Sequence, residues 1–182
     1  MKNIFKILSL LLLINSLSFA QTRLIDRSGT VRFFSSAPME DIEAINQSAL
    51  GIIELPSGEV AVSILIKGFQ FEKALMQEHF NENYMESDKF SKATFIGKIE
   101  NPEKLQENGK FQADIKGKMT VHGVTKEITM KAEIEVTSDA ILVESKFNLT
   151  VADYKIEIPK LVRNNIAKEV EVTANFNLTG HE

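Results

Sequence analysis

The chain has 182 residues, no cysteine and a formal net charge of −4 at neutral pH. The missing cysteines exclude disulfides, thiolate metal ligands and a cysteine nucleophile, so stability must come from the core itself. The acidic balance is unfavourable for contact with nucleic acid or with an anionic membrane surface.

The first twenty residues have the pattern of a secretory signal peptide. Lys2 and Lys6 give a positive start, residues 7–14 are almost all apolar, and a small-x-small triplet ends at Ala20. This pattern predicts cleavage after Ala20. Because the apolar stretch is shorter than the roughly 20 residues that span a bilayer, we expect no membrane span after cleavage. The prediction is a periplasmic or secreted protein whose single domain covers residues 21–182.

Three strands with alternating apolar and polar positions are predicted in the N-terminal half. They cover residues 30–35, 41–55 and 60–66. We expect the second strand to bend near Gly51. Pro56-Ser57-Gly58 is a turn signal that separates it from the third strand.

The periodicity changes from that of a strand to that of a helix between Lys73 and Ser87. Met76, Phe80 and Tyr84 are four residues apart and therefore share one stripe of a predicted helix. This stripe is a candidate lid over the mouth of a barrel. Ordinary packing against the outside or end of the barrel is the alternative.

The C-terminal half has the strongest alternation. Its predicted strands cover residues 93–99, 111–122, 124–136, 141–151 and 170–178, with a short additional strand at 154–158. Turns are predicted at Asn108-Gly109, His122-Gly123 and Ser138-Asp139. In the second of these strands, the odd positions from Phe111 to Val121 carry the apolar face.

Eight or nine antiparallel strands, each with one apolar face, predict an all-β protein with one inserted helix. A closed antiparallel barrel of about eight strands hides all of these faces without leaving a free edge, and we favour it over a sandwich. A barrel of this size is wide enough for its own side chains or for one small apolar ligand.

Two segments resemble the YceI-like family of secreted bacterial proteins. Residues 117–128, with the sequence Gly-Lys-Met-Thr-Val-His-Gly-Val-Thr-Lys-Glu-Ile, are similar to the family's strand-turn-strand signature. Residues 75–95 resemble its helix and the strand that follows, with Ser91 where a proline is common. The chain departs from the family pattern at 35–38 and 51–53.

The resemblance implies a lipocalin-like barrel with a hydrophobic tunnel. Members of the family are thought to hold long-chain lipids such as polyisoprenoids, isoprenoid quinones or fatty-acyl derivatives. We expect no cofactor. The departures near the start of the chain leave the identity of the lipid open.

Large apolar residues on the inward faces are candidates for the wall of an apolar tunnel. They are Phe33, Phe95, Phe111, Met119, Met130, Phe147 and Phe176. Each would serve equally well as plain core. Small residues interleaved with them predict layers that stay unfilled; these are Ala93, Gly97, Ala113, Gly117, Ala132 and Ala174.

The sequence gives only weak signals for a metal site or a catalytic site. His79 and Glu82 resemble a metal-ligand pair, but no third ligand has suitable spacing, so we expect no metal. No serine lies in a nucleophile motif, so we expect no catalytic residues. Lys160 and Arg163 belong to a solvated loop or to one that contacts a polar head group.

The sequence therefore predicts a non-enzymatic lipid-binding protein that sequesters or carries a long apolar molecule. The alternative is a non-catalytic envelope stress or interaction protein with a filled barrel. An enzyme acting on a bound lipid is disfavoured. The sequence leaves undecided whether the chain forms a homodimer through an exposed strand edge or through the helix.

Overall fold

The computed structural model describes residues 22–180. The predicted signal peptide, residues 1–20, lies outside the described residues. Within them the chain forms nine strands: β1 Thr22–Ser36, β2 Asp41–Leu55, β3 Glu59–Leu65, β4 Gln70–Phe71, β5 Lys92–Ile99, β6 Gly109–Val121, β7 Val124–Val136, β8 Ala140–Thr150 and β9 Glu169–Gly180. Helix α1, Ala74–His79, continues into a π-helical turn at Phe80–Tyr84.

Eight of the strands form a closed antiparallel barrel. Neighbours around the ring follow the order β1-β9-β8-β7-β6-β5-β3-β2, and pairing of β1 with β2 completes it. The short β4 pairs with β2 outside the ring. Closure pairs each of these eight strands on both sides, which removes the free edges that a sandwich would leave. The predicted barrel is confirmed.

Strand alternation places the apolar faces inside. The register links Ala113 to Ala132, Ala132 to Ser145, and Ser145 to Ala174, so small residues lie side by side on four neighbouring strands. On one side of this row, β8 and β9 pair Phe147 with Val172; on the other they pair Val143 with Phe176. The row of small residues therefore crosses four neighbouring strands of the barrel wall.

One end of the barrel is filled. It contains the β2–β3 turn, the β5–β6 connection and the β7–β8 turn. The side chains packed there are 1–2% exposed: Ile53, Ile99, Leu105, Ile134, Ile141 and Leu178. Two of them, Ile53 and Leu178, also line the cavity described below. The opposite end, which we call the mouth, contains the β1–β2 hairpin and the long connections at 66–91 and 151–168.

The β6–β7 turn is the predicted two-residue hairpin. Val121 pairs with Val124, and His122 and Gly123 both have positive φ, 50° and 72°. Positive φ at both central residues gives the turn a twist that matches the flanking strands. A Cβ at Gly123 would collide with the ring of Phe90, so the glycine also makes room for the 66–91 connection.

Three predictions of local structure were wrong. Asn108-Gly109 is not a tight hairpin, because the β5–β6 connection contains a 3₁₀ turn at Pro102–Gln106 before Gly109 begins β6. Residues 154–158 form no strand, because a 3₁₀ turn at Val151–Tyr154 ends in the left-handed Lys155. The predicted helix is shorter and ends in a π turn.

Strand β1 begins eight residues before the predicted strand. A register shift between Asp26 and Gly29 breaks the alternation there. Buried Asp26 accepts hydrogen bonds from the backbone amides of Ser28 and Asn177, both at 2.8 Å. A bulge capped by a buried carboxylate lacks the apolar pattern of a strand, so periodicity could not detect it.

None of the described helices has the length and apolar character needed to cross a bilayer.

Candidate functional site

The half of the barrel nearer the mouth encloses a cavity of about 370 Å³. Its wall is made by inward-facing side chains of the strands, and its mouth by the connections at 66–91 and 151–168. This volume lies within the roughly 300–1,000 Å³ that is typical of small-molecule sites. The interior is therefore neither completely filled nor an open channel.

Two buried phenylalanines contribute to the lining of the cavity. Phe95 and Phe176 line it while being only 6% and 9% exposed. The Phe176 ring lies against Gly29 and Gly51, where a Cβ on either glycine would overlap it. The Phe95 ring covers the paired Gly97 and Gly117 in the same way.

This packing limits the unfilled space to some of the small residues. Phe95 occupies the space at Gly97 and Gly117, and Ala113 and Ala132 are buried toward the filled end. Among the small residues named above, Ala93 and Ala174 line the cavity. The presence of a small residue on the inward face therefore does not by itself mark free space.

The predicted wall residues fall into two groups. Phe33, Phe95, Met119, Met130, Phe147 and Phe176 line the cavity. Phe111 lies toward the filled end, where it pairs in register with Ile134, and Lys104 Nζ is 5.6 Å from the centre of its ring. The structure thus brings six of the seven together and separates Phe111 from them.

The predicted lid stripe faces the cavity. Met76, Phe80 and Tyr84 all line it. The ring of Phe80 stacks on Phe33 with centroids 5.5 Å apart, and its centroid is 5.0 Å from that of Phe71. Aromatic pairs at such distances stabilise the packing beyond the burial of their area. We call residues 74–84 the lid.

Polar contacts attach the lid to the strands beneath it. Gln77 Oε1 accepts a hydrogen bond from the backbone amide of Phe71, at 3.2 Å. Lys73 Nζ, just before α1, lies 2.8 Å from Glu40 Oε1 in the β1–β2 hairpin. The lid is therefore held by its aromatic face, by one part-buried hydrogen bond and by an exposed ion pair, which is weak on its own.

The β8–β9 connection forms the other side of the mouth. Ile156, Ile158, Val162 and Ile166 line the cavity. Ala167 donates its backbone amide to Ser35 Oγ at 2.9 Å. The sequence analysis did not predict this wall, because it assigned the segment to a short strand and a solvated loop. The four aliphatic residues in that segment are the signal that could have revealed it.

His122 joins three elements at the mouth. Its Nδ1 donates to the carbonyl oxygen of Tyr154 at 3.1 Å, and its Nε2 lies 3.0 Å from Glu86 Oε2. The ring also packs edge-on against Phe90, with centroids 4.5 Å apart. His122 is therefore structural here: it ties the β6–β7 turn to both long connections.

Polar groups deep in the cavity are satisfied within the wall. Ser145 Oγ donates to the carbonyl oxygen of Lys131 at 2.8 Å, and Ser35 is bonded to Ala167 as described. Polar side chains that line the mouth include His79, Tyr84 and Asn165. Burial raises the pKa of Tyr84, so its hydroxyl stays neutral and able to donate at neutral pH.

The described residues contain no cluster of three or more histidine, aspartate or glutamate side chains suited to hold a metal ion. His79 lines the cavity mouth, whereas Glu82 is exposed on the outer surface of the lid.

Comparison with known proteins identifies similar chains. The sequence model of the YceI-like domain matches residues 17–178. A polyisoprenoid binding domain from Saccharophagus degradans, implicated in plant cell wall breakdown, has a TM-score of 0.77 at 17% sequence identity, covering 88% of this chain and 99% of that chain.

Two further solved structures have the same fold. BcnA of Burkholderia cenocepacia has a TM-score of 0.69 at 14% identity, covering 86% of this chain and 99% of its own. The YCEI protein of Campylobacter jejuni has a TM-score of 0.53 at 17% identity, covering 74% and 81%. No curated protein sequence matches this chain. At such low identities the structural likeness shows the fold alone.

Proposed function

The chain belongs to the YceI-like domain family, and from the cavity inside its barrel we propose that it is a lipid-binding protein that sequesters or carries a long apolar molecule. The observation that carries this proposal is the aliphatic and aromatic lining of a space of about 370 Å³ inside the barrel. In this proposal the ligand tail lies among these lining side chains.

The chemistry of the wall favours an uncharged hydrocarbon tail. Serine hydroxyls in the wall are bonded to backbone groups, so a polar ligand group placed beside them would lose its hydration without gaining a partner. Groups able to bond a ligand head, such as Tyr84 and Asn165, are at the mouth. An isoprenoid or fatty-acyl chain with its head group at the mouth satisfies both conditions.

Burial of an apolar tail supplies enough free energy for binding without a charged group of the protein. Burying one CH₂ group contributes roughly 0.8 kcal/mol, so ten contribute about 8 kcal/mol. That corresponds to about micromolar affinity before ordering costs are subtracted. The likeness to a polyisoprenoid binding domain supports an isoprenoid as the first ligand to test.

We place this function in the periplasm or outside the cell, because residues 1–20 have the pattern of a cleaved signal peptide. Binding and release of the lipid require no bond to be made or broken. The proposed activity is therefore transfer or storage, and its specificity depends on the shape of the cavity.

One experiment tests both ligand and location. The full chain is expressed in a bacterium, the periplasmic fraction is collected, and the mass of the purified protein is measured before extraction with organic solvent. We expect a chain that begins at Gln21 and a co-purified isoprenoid or fatty-acyl lipid in the mass spectrum of the extract. The matched control is Ala174→Phe, which should carry less lipid because its ring would occupy the cavity.

The experiment can fail for the location and for the ligand independently, and each failure gives a different result. A protein that retains residues 1–20 in the cytoplasm contradicts the location but not the binding. A mature protein that carries no lipid, and that binds neither an isoprenol nor a fatty-acid probe, contradicts the binding.

A further inference from the structure

Two of the most exposed large apolar side chains lie together at the mouth. Leu161 is 97% exposed and Met39 is 72% exposed. The backbone amide of Met39 donates to the carbonyl oxygen of Asn164 at 3.1 Å, which joins the β1–β2 hairpin to the loop that carries Leu161. Single exposed apolar residues are ordinary, but these two lie on segments that are hydrogen-bonded to each other at the mouth of a cavity, and burial in the core accounts for neither of them.

The same loop also forms part of the cavity wall. Val162, the residue after Leu161, lines the cavity, as do Ile158 and Ile166. Lys160–Val162 is a single 3₁₀ turn, so neighbouring side chains point in different directions. One short segment therefore presents an apolar tip to the outside and an apolar wall to the inside.

The charge of this loop is opposite to that of the whole chain. Residues 155–168 contain four basic side chains and one carboxylate, Glu157. Lys160 and Arg163 flank Leu161, and neither forms an ion pair with any residue in the described range 22–180. Charges interact mainly within a Debye length of about 8 Å, so the local excess decides what this surface attracts.

We propose that this patch, formed by Met39, Lys160, Leu161 and Arg163, docks onto the surface of an anionic lipid bilayer. An apolar tip flanked by cations suits such a surface, because the tip enters the interfacial region while the cations meet the lipid head groups. This proposal runs against the expectation, drawn from net charge alone, that the acidic balance is unfavourable for contact with an anionic membrane surface.

Docking at this patch would bring the mouth of the cavity to the bilayer. This step rests on the proposed function: a water-insoluble ligand must be taken from or delivered to a membrane, and the tip and the mouth are parts of one segment. The lid side of the mouth carries the acidic residues Glu72, Glu78 and Glu82, so it would face away from anionic head groups. The difference in charge between the basic loop and the acidic lid side of the mouth would thus orient the barrel on the bilayer.

The test measures co-sedimentation of the mature protein with vesicles. We expect binding to vesicles of phosphatidylglycerol and phosphatidylethanolamine, weaker binding to phosphatidylcholine alone, and a decline as salt is raised. Leu161→Ser should lower the partition coefficient about tenfold, because one leucine no longer enters the interface. Lys160→Gln with Arg163→Gln should lower it about fivefold per charge removed and abolish the preference for anionic vesicles.

The matched control is a large exposed apolar residue on the barrel wall. Ile96 on β5 is 68% exposed, so Ile96→Ser removes a similar apolar side chain away from the mouth. It should leave vesicle binding unchanged. Absence of binding by the unmodified protein, or an equal loss with Ile96→Ser, overturns the proposal. A dimer in size-exclusion chromatography that Leu161→Ser converts to a monomer, without vesicle binding, also overturns it and assigns the patch to a second copy.

A second readout separates this proposal from the proposed function. Binding of a soluble dansylated fatty acid measures the cavity without a membrane. Leu161→Ser should bind this probe as the unmodified protein does, because its side chain points away from the cavity. Probe binding without vesicle binding refutes only the docking patch. Vesicle binding that depends on Leu161 without any probe binding supports the patch and refutes the lipid cavity.

Discussion

Individual phenylalanine and glycine residues decide where the barrel interior is occupied. Phe95 covers Gly97 and Gly117, and Phe176 covers Gly29 and Gly51, so each ring is held by backbone that has no side chain of its own. Ala174, by contrast, lines the cavity. The same kind of small residue therefore marks filled space in one place and free space in another.

Ala174→Phe should block the cavity with little loss of stability. Its added ring would enter free space, so we expect the dissociation constant of a fatty-acid or isoprenol probe to rise at least about tenfold. The free energy of unfolding in urea should change by less than about 1 kcal/mol. Fluorescence titration and urea denaturation measure the two quantities.

Ala113→Phe is the matched variant in the filled half. Ala113 is buried against Ala132, so a ring there overpacks the core and should destabilise the fold by about 1–3 kcal/mol. If Ala174→Phe binds the probe as well as the unmodified chain does, the cavity is not the binding site.

Inward-facing residues were predictable from alternation, but their separation into wall and core was not. The positions of Phe111 and Phe147 look alike in sequence, since both are large apolar residues on the inward face of a strand. Phe111 lies toward the filled end while Phe147 lines the cavity. The difference depends on which end of the barrel each reaches, and strand periodicity carries no information about that.

Among the elements, the lid is the part best suited to move. Its residues Met76, Phe80 and Tyr84 line the cavity, but none of residues 74–84 is fully buried. The other side of the mouth, by contrast, includes the buried Val151 and Tyr154. Opening of the mouth should therefore begin at residues 74–84.

Phe80→Ala should accelerate ligand exchange. The ring of Phe80 pairs with Phe33, Phe69 and Phe71, and each aromatic pair contributes about 0.5–1.5 kcal/mol beyond burial. Loss of all three predicts a dissociation rate at least about tenfold higher, measured by stopped-flow release of a fluorescent fatty acid. Leu75→Ala, on the same helix but 61% exposed, is the control and should release at the unmodified rate. Equal rates for the two variants would show that the lid is not the gate.

The helix itself was predictable, whereas its ending was not. The i, i+4, i+8 spacing of its apolar stripe placed it correctly, because that spacing depends only on local geometry. The π turn at Phe80–Tyr84 and the loss of the predicted strand at 154–158 both arise where the chain folds over the mouth. There, contacts with distant residues outweigh local propensity.

For the whole molecule, a cavity in the native state implies stabilisation by ligand. A ligand that binds only the folded chain adds about 2.7 kcal/mol of stability at one hundred times its dissociation constant. For a domain of this size, that should raise Tm by about 5–10 °C. Differential scanning calorimetry with and without a long-chain isoprenol measures the shift. Ala174→Phe should show a much smaller one, and an unchanged Tm for the unmodified protein would favour a filled barrel.

The sequence by itself determined the strands, their inward faces, the His122-Gly123 turn and the resemblance to the YceI-like family, because each depends on short stretches of chain. Only the tertiary structure decided where the barrel is empty and where it opens. The cavity depends on pairing between β1 and β9, whose partners Val31 and Ala174 are far apart in the chain, and on how two long connections fold over the mouth. Register between distant strands and the packing of rings onto glycines are properties of the closed barrel as a whole, so no local pattern specifies them.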